Sequence, residues 1–127
     1  MEQKGRIIMK GSAKGIALVS NTPVSFFGYV DPKTGVVTEK GHELFGQSVT
    51  GKILVFPYGK GSTVGSYALY RMKKEGTAPL GIINLECEPI VAVGAIISDI
   101  PCVDKIDITK IATGNTVVIN DGIVSIE

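Results

Sequence analysis

The segment KILVFP, residues 52–57, is apolar without interruption from Ile53 to Phe56 and is too short for a helix. A half-exposed strand alternates apolar and polar residues, so this run reads as a strand buried on both faces near the centre of a sheet. The adjoining segment narrows the choice. After the turn YGKGST, Gly65, Ala68, Leu69 and Met72 fall at i, i+3, i+4 and i+7, the spacing of one helical face. Lys73 and Lys74 occupy the last turn, and Gly76 sits where a C-terminal glycine cap belongs. A central strand, a glycine-bracketed turn and a helix in that order predict an α/β chain.

Apolar runs around Ile7–Met9 and Ile16–Val19 flank Gly11–Gly15, which predicts a hairpin or a bent pair of strands. From Asn21 to Gly51 the pattern is irregular, punctuated by Pro23, Gly28, DPKTG, Gly41 and Gly46. This reads as a long excursion with one short hairpin at DPKTG, and excursions of that length in a small domain are often functional. PLGIINLE reads as a second buried strand. Pro89 then fits the first turn of a helix through Ser98, although Ile90, Val91, Val93, Ile96 and Ile97 suit a strand equally. The tail GNTVVINDGIVSIE holds two alternating runs about Asn120-Asp121-Gly122, a hairpin signal. At 127 residues and 44% hydrophobic, a single domain over residues 1–127 is expected, strand-rich with two helices in its second half.

Several function classes are disfavoured. Lys plus Arg number 13 against 12 for Asp plus Glu, so no net field draws nucleic acid or an anionic membrane. The longest apolar run, Ile90–Ile97, is far below the roughly 20 residues of a membrane span. MEQKGRIIMKG lacks the apolar core of a signal peptide, and a cytoplasmic protein is expected. Cys87 and Cys102 have no neighbouring Cys or His, which disfavours a redox CxxC pair or a zinc site and favours two buried thiols. His42 is the only histidine and a poor metal candidate; a loop-packing role is the commoner one. Gly46, Gly51 and Lys52 have P-loop spacing, but Ile53 replaces the Ser or Thr and the segment runs into a strand. Gly59, Gly61 and Gly65 miss the dinucleotide fingerprint by one residue.

What remains is the approach to a helix N-terminus. The N–H groups of Ser62, Thr63 and Val64 should point out of the turn, Gly59 and Gly61 should leave room for a ligand, and Lys60 adds positive charge, so an anion would be welcome. The alternative is that Ser62 only caps the helix. Ser25, Phe26 and Phe27 lie in the glycine-rich excursion, where paired aromatics are either buried beneath the loop or offered to a partner.

Five blocks, GSAKGIALVS, PVSFFGYVDPKTG, GHELFGQSVTGKILVFPYGKGSTVGSYALY, APLGIINLE and VAVGAIISDIPCVD, resemble in order and spacing the small subunit of the aconitase X family, over nearly the whole chain. The resemblance implies an aconitase-type swivelling β/β/α domain with a barrel-like core, closing over a large catalytic subunit. In such enzymes the strand, Gly-Ser turn and helix deliver the catalytic base, a role that carries over to Ser62. Lys60, Gly61 and Thr63 become substrate-binding candidates, with His42 and Ser25 behind them. The chain departs from the better-known aconitases in lacking the Arg that follows their serine pair; Val64 and Gly65 stand there.

An aconitase-type 4Fe-4S iron-sulfur cluster takes three cysteines, so it is expected on the large partner, with no metal bound by this chain. The implied hydro-lyase reaction is dehydration of (R)-mevalonate 5-phosphate, a small phosphorylated hydroxy acid, to trans-anhydromevalonate 5-phosphate in isoprenoid biosynthesis. There the partner's cluster would take the hydroxyl and Ser62 the proton. A helix terminus contributes up to about 2 kcal/mol, roughly one to one and a half pKa units, so Lys60 and cations from the partner would have to supply the rest of the activation. Two rivals stand beside this: a hydroxyproline dehydratase subunit of the same family, and a non-enzymatic anion-binding or scaffolding module.

Overall fold

The computed structural model describes residues 1–127. The strands are β1 (Glu2–Lys4), β2 (Arg6–Met9), β3 (Ser12–Val19), β4 (Ile53–Phe56), β5 (Gly81–Asn84), β6 (Cys102–Asp104), β7 (Thr116–Asn120) and β8 (Ile123–Ile126). The helices are α1 (Gly65–Glu75) and α2 (Pro89–Ser98), with one 3-10 turn at Ile108–Lys110. All eight strands join one sheet in the order β1-β8-β7-β3-β4-β5-β6-β2. As the apolar run predicts, β4 is buried along its length and lies between two parallel neighbours, Leu54 opposite Leu18 and Ile82.

The two ends of that order are consecutive in sequence, so β1 and β2 rolled about Gly5 close the sheet into a barrel. Strand β1 pairs with β8, β2 pairs with β6, and the Gly5 N–H donates to Gly122 O at 2.8 Å. A Cβ at Gly5 would collide with Asp104 O and Val103, which is why this corner is glycine. Of the hairpin or bent pair of strands expected from Ile7–Met9 and Ile16–Val19, the hairpin is not formed: both runs are strands, but they do not pair with each other. Each run instead pairs with different strands, β2 with β6 and β3 with β4 and β7, so that consecutive β1 and β2 join the two ends of the sheet and nearly close it. The tail hairpin forms as expected, with Asp121 (φ 46°) and Gly122 (φ 90°) in its turn.

Alternation on the central strands divides the core. Ile53, Val55, Ile83, Val103, Val117 and Ile119 fill the barrel. Leu54, Phe56 and Ile82 point outward and are covered by α1, α2 and the 20–51 excursion, giving the β/β/α layering. The excursion holds only isolated bridges, Val30 with Val37 among them, and the Gly35 N–H donates to Asp31 O at 2.7 Å in the DPKTG turn. The Phe26-Phe27 pair divides: Phe26 is buried edge-on against Phe56 (6.1 Å), while Phe27 is 52% exposed.

Helix α1 ends at Gly76 in the left-handed conformation, as expected, but its buried face is Gly65, Ser66, Leu69 and Met72. Ala68 is only half-buried; Ser66 takes its place because its hydroxyl donates to Ile90 O (2.7 Å) across the helix contact. The 89–98 segment is helical because both carboxylate oxygens of Glu88 accept the first free N–H groups, those of Ile90 and Val91, at 2.8 Å. No helix is long and apolar enough to cross a membrane.

Candidate active site

Strands β3, β4 and β5 are parallel, so the loops after them emerge at one edge of the sheet, where open parallel sheets bind ligands. The loop after β3 brings Ser25, the loop after β4 brings Gly59–Val64, and the loop after β5 brings Glu88. Val24 and Gly59 bridge in parallel, and the Lys60 N–H donates to Val24 O at 3.0 Å, which lays the first two loops side by side.

The glycines of the turn serve close packing. A Cβ on Gly59 would strike Glu88 Oε1 and Val91, and one on Gly61 would sit 2.6 Å from Ser25 Oγ. The side of each glycine on which a side chain would stand is thus taken by the capping residue of α2 and by a second serine. Gly61 also has φ 99°, where side chains are strained. Ser25 Oγ, in a residue only 4% exposed, makes no hydrogen bond within the chain.

Ser62 is exposed and stands before the helix, not at its cap. The cap position is Val64, without a side-chain bond. Ser62 O accepts from the Gly65 N–H (2.9 Å), and Ser62 Oγ accepts from the Val64 N–H (3.2 Å). The Val64 amide is therefore not free, contrary to expectation. The N–H groups of Gly61, Ser62 and Thr63 make no hydrogen bond within the chain. Thr63 is exposed beside them.

Two other candidates are engaged within the chain. Lys60 Nζ is paired with Glu39 Oε2 at 2.8 Å, so its charge is already largely answered. His42 is buried with both ring nitrogens in use: Nδ1 accepts from the Leu44 N–H (3.0 Å), which leaves Nε2 to donate to Pro23 O (2.9 Å). It fastens the excursion to the segment that carries Ser25. Glu43 reinforces this fastening, accepting from the Asn21 N–H (2.6 Å) and Thr22 Oγ1 (3.0 Å). Burial works to raise the Glu43 pKa, but these donors outweigh it and hold the carboxyl below its usual range.

Cys102 is buried and Cys87 only half-buried. They are neighbours in space despite their separation: the proximity of Cys87, with burial, pushes the Cys102 thiol well up. Three or more His, Cys, Asp or Glu side chains nowhere converge in a metal-binding group. Two thiols, one of them with its sulfur against Glu88 O (3.6 Å), do not fit an iron-sulfur cluster that takes three.

Sequence reasoning passed over two features. Glu88 was hidden because Pro89 is the more conspicuous residue, yet an acceptor just before a proline at the first helical position is a cap signal. Arg71, seven residues after Val64 on one helical row, lines a cleft along α1 with Val64, Tyr67 and Phe27.

The model of the aconitase X swivel domain matches residues 2–126. A protein of Methanosarcina acetivorans named phosphomevalonate dehydratase small subunit is 64% identical over 104 residues, 82% of this chain and 72% of that one. Its namesake in Methanocaldococcus jannaschii is 56% identical over 99% of this chain and 98% of its own length. The crystal structure of Thermococcus kodakaraensis aconitase X in its holo form superposes with a TM-score of 0.98 at 53% identity, covering 100% of this chain and 98% of that one.

Proposed function

This chain belongs to the aconitase X swivel domain family, and from that premise we propose that Ser62 is the proton acceptor of a hydro-lyase whose active site is completed by a larger subunit. The chain is the small subunit of a phosphomevalonate dehydratase, a reading carried by identity of 52–64% to archaeal proteins of that name. The partner is the larger subunit that such a name requires. We place the iron-sulfur cluster on that partner, because the donor set of this chain does not fit one, and the departure of the hydroxyl there with it.

What this chain contributes is binding and proton transfer. The free N–H groups of Gly61, Ser62 and Thr63 suit the substrate carboxylate, which is attached to the carbon that gives up its proton. Ser62 Oγ takes that proton as the alkoxide. The Val64 N–H donates to this oxygen, and a donor to the charged form favours it. Ser25 Oγ, unpartnered and against Gly61, is placed to bind beside it. Lys60, already paired with Glu39, contributes less than an isolated cation would.

The test is reconstitution: the purified chain and its larger subunit, supplied with (R)-mevalonate 5-phosphate, should release water and form trans-anhydromevalonate 5-phosphate, and neither alone should. Turnover of hydroxyproline instead would assign the chain to that branch of the family, and association without turnover of either would make it a scaffold.

A further inference from the structure

A cleft of about 480 Å³ runs along the outer side of α1, between the helix and the loop beyond Ser25. Phe27 and Thr38 form one wall and Val64, Tyr67 and Arg71 the other. It opens beside the Ser62 turn, since Val64 is the residue whose N–H holds Ser62 Oγ. Val64, Tyr67 and Arg71 recur at i, i+3 and i+7 and so form one row. From Val64 to Arg71 the helix advances about 10 Å. Helical side chains lean toward the helix N-terminus, which from Arg71 is the direction of Ser62, and Arg71 lines the cleft between.

Of the two arginines, Arg6 is locked to Asp104, whereas Arg71 takes part in none of the ion pairs and donates no side-chain hydrogen bond. An unpaired guanidinium in a largely apolar cleft is a site for an anion with several oxygens, which its planar fork grips at two points. The substrate has two anionic ends. Its carboxylate adjoins the carbon deprotonated by Ser62 and belongs at the turn. Its phosphate is five bonds from that carbon, roughly 6 Å when extended, long enough to carry it from the turn into the cleft that Arg71 lines. We propose that Arg71 binds the substrate phosphate and makes this subunit a determinant of phosphate-ester specificity. The assignment rests on the reading of Ser62 given above. Asp31 lines the cleft too, its carboxylate accepting the Lys33 N–H at 2.9 Å and making no pair with Arg71.

The experiment is steady-state kinetics of Arg71→Gln in the reconstituted complex, with saturating larger subunit. KM for (R)-mevalonate 5-phosphate should rise about 10- to 100-fold, the scale of one charge-assisted bidentate contact, with kcat little changed. Inhibition by inorganic phosphate should weaken in step, and Arg71→Lys should restore part of both. Asp31→Asn should leave KM unchanged or lower it. An unchanged KM in Arg71→Gln, or a loss confined to subunit association, would overturn the proposal. So would equal losses of melting temperature in Arg71→Gln and Asp31→Asn, which would make the two a structural pair. Normal KM in Arg71→Gln with kcat lost in Ser62→Ala would sink only the Arg71 assignment; full activity in Ser62→Ala would remove the reading beneath it.

Discussion

Asp104 shows how one residue holds the barrel seam. Fully buried at the end of β6, it accepts from Arg6 Nε (2.9 Å) and Nη2 (2.6 Å), and from the Cys87 N–H (2.8 Å). Burial works to raise its pKa, but the Arg6 hydrogen bond and the Cys87 amide outweigh it and hold the carboxyl below the usual aspartate range. A carboxyl depressed by folding stabilises above its unfolded pKa of about 3.9 and loses that contribution as pH falls through the lower folded value. Melting temperature should therefore fall more steeply below about pH 4 in the natural chain than in Asp104→Asn; parallel curves would show that the seam does not depend on the charge. Nothing in the sequence marks this pairing, because the two residues are 98 apart and meet only through barrel closure. The turn glycines are the converse case. Their positions were legible, but their use was not, since what fills the space at Gly59 and Gly61 comes from Glu88 and Ser25 on other loops.

Among the elements, those specified locally were legible. Helix α1 follows from its apolar row and Gly76, β4 from its unbroken burial, and the β7-β8 hairpin from Asp121-Gly122. Strand β2 was legible as the Ile7–Met9 run, though not its partner β6, and β1 was not legible at all, because so short a strand has no periodicity to speak of and is fixed by what it closes against. Helix α2 lies between, since its β-branched residues leave helix and strand equal until the cap is counted. Glu88→Ala, which frees the Ile90 and Val91 N–H groups, should cost about 1 kcal/mol by chemical denaturation, and Glu88→Gln less. An unaltered midpoint in Glu88→Ala would mean that packing against α1 alone sets the helix.

At the scale of the whole molecule, a closed barrel and two helices hold a rigid edge on which Ser62 stands exposed to water. Proton abstraction by a serine needs a drier, more cationic setting than this surface provides, so the proposed role of Ser62 requires the larger subunit to cover the turn. The helix dipole and the Val64 N–H are not enough alone, for a favourable terminus contributes only up to about 2 kcal/mol. The resemblance of GKGSTVGS to the aconitase turn is what suggests this division of labour; the neighbours of Ser62 were not legible, because they arrive from the loops after β3 and β5. The most direct measurement is kcat of Ser62→Ala in the reconstituted complex. The substitution removes one hydroxyl and leaves the free amides of the turn in place, so association and KM should persist while kcat falls about 100-fold or more, the scale of a positioned proton acceptor. A near-normal kcat would rule out Ser62 as the proton acceptor and put the base in the other subunit.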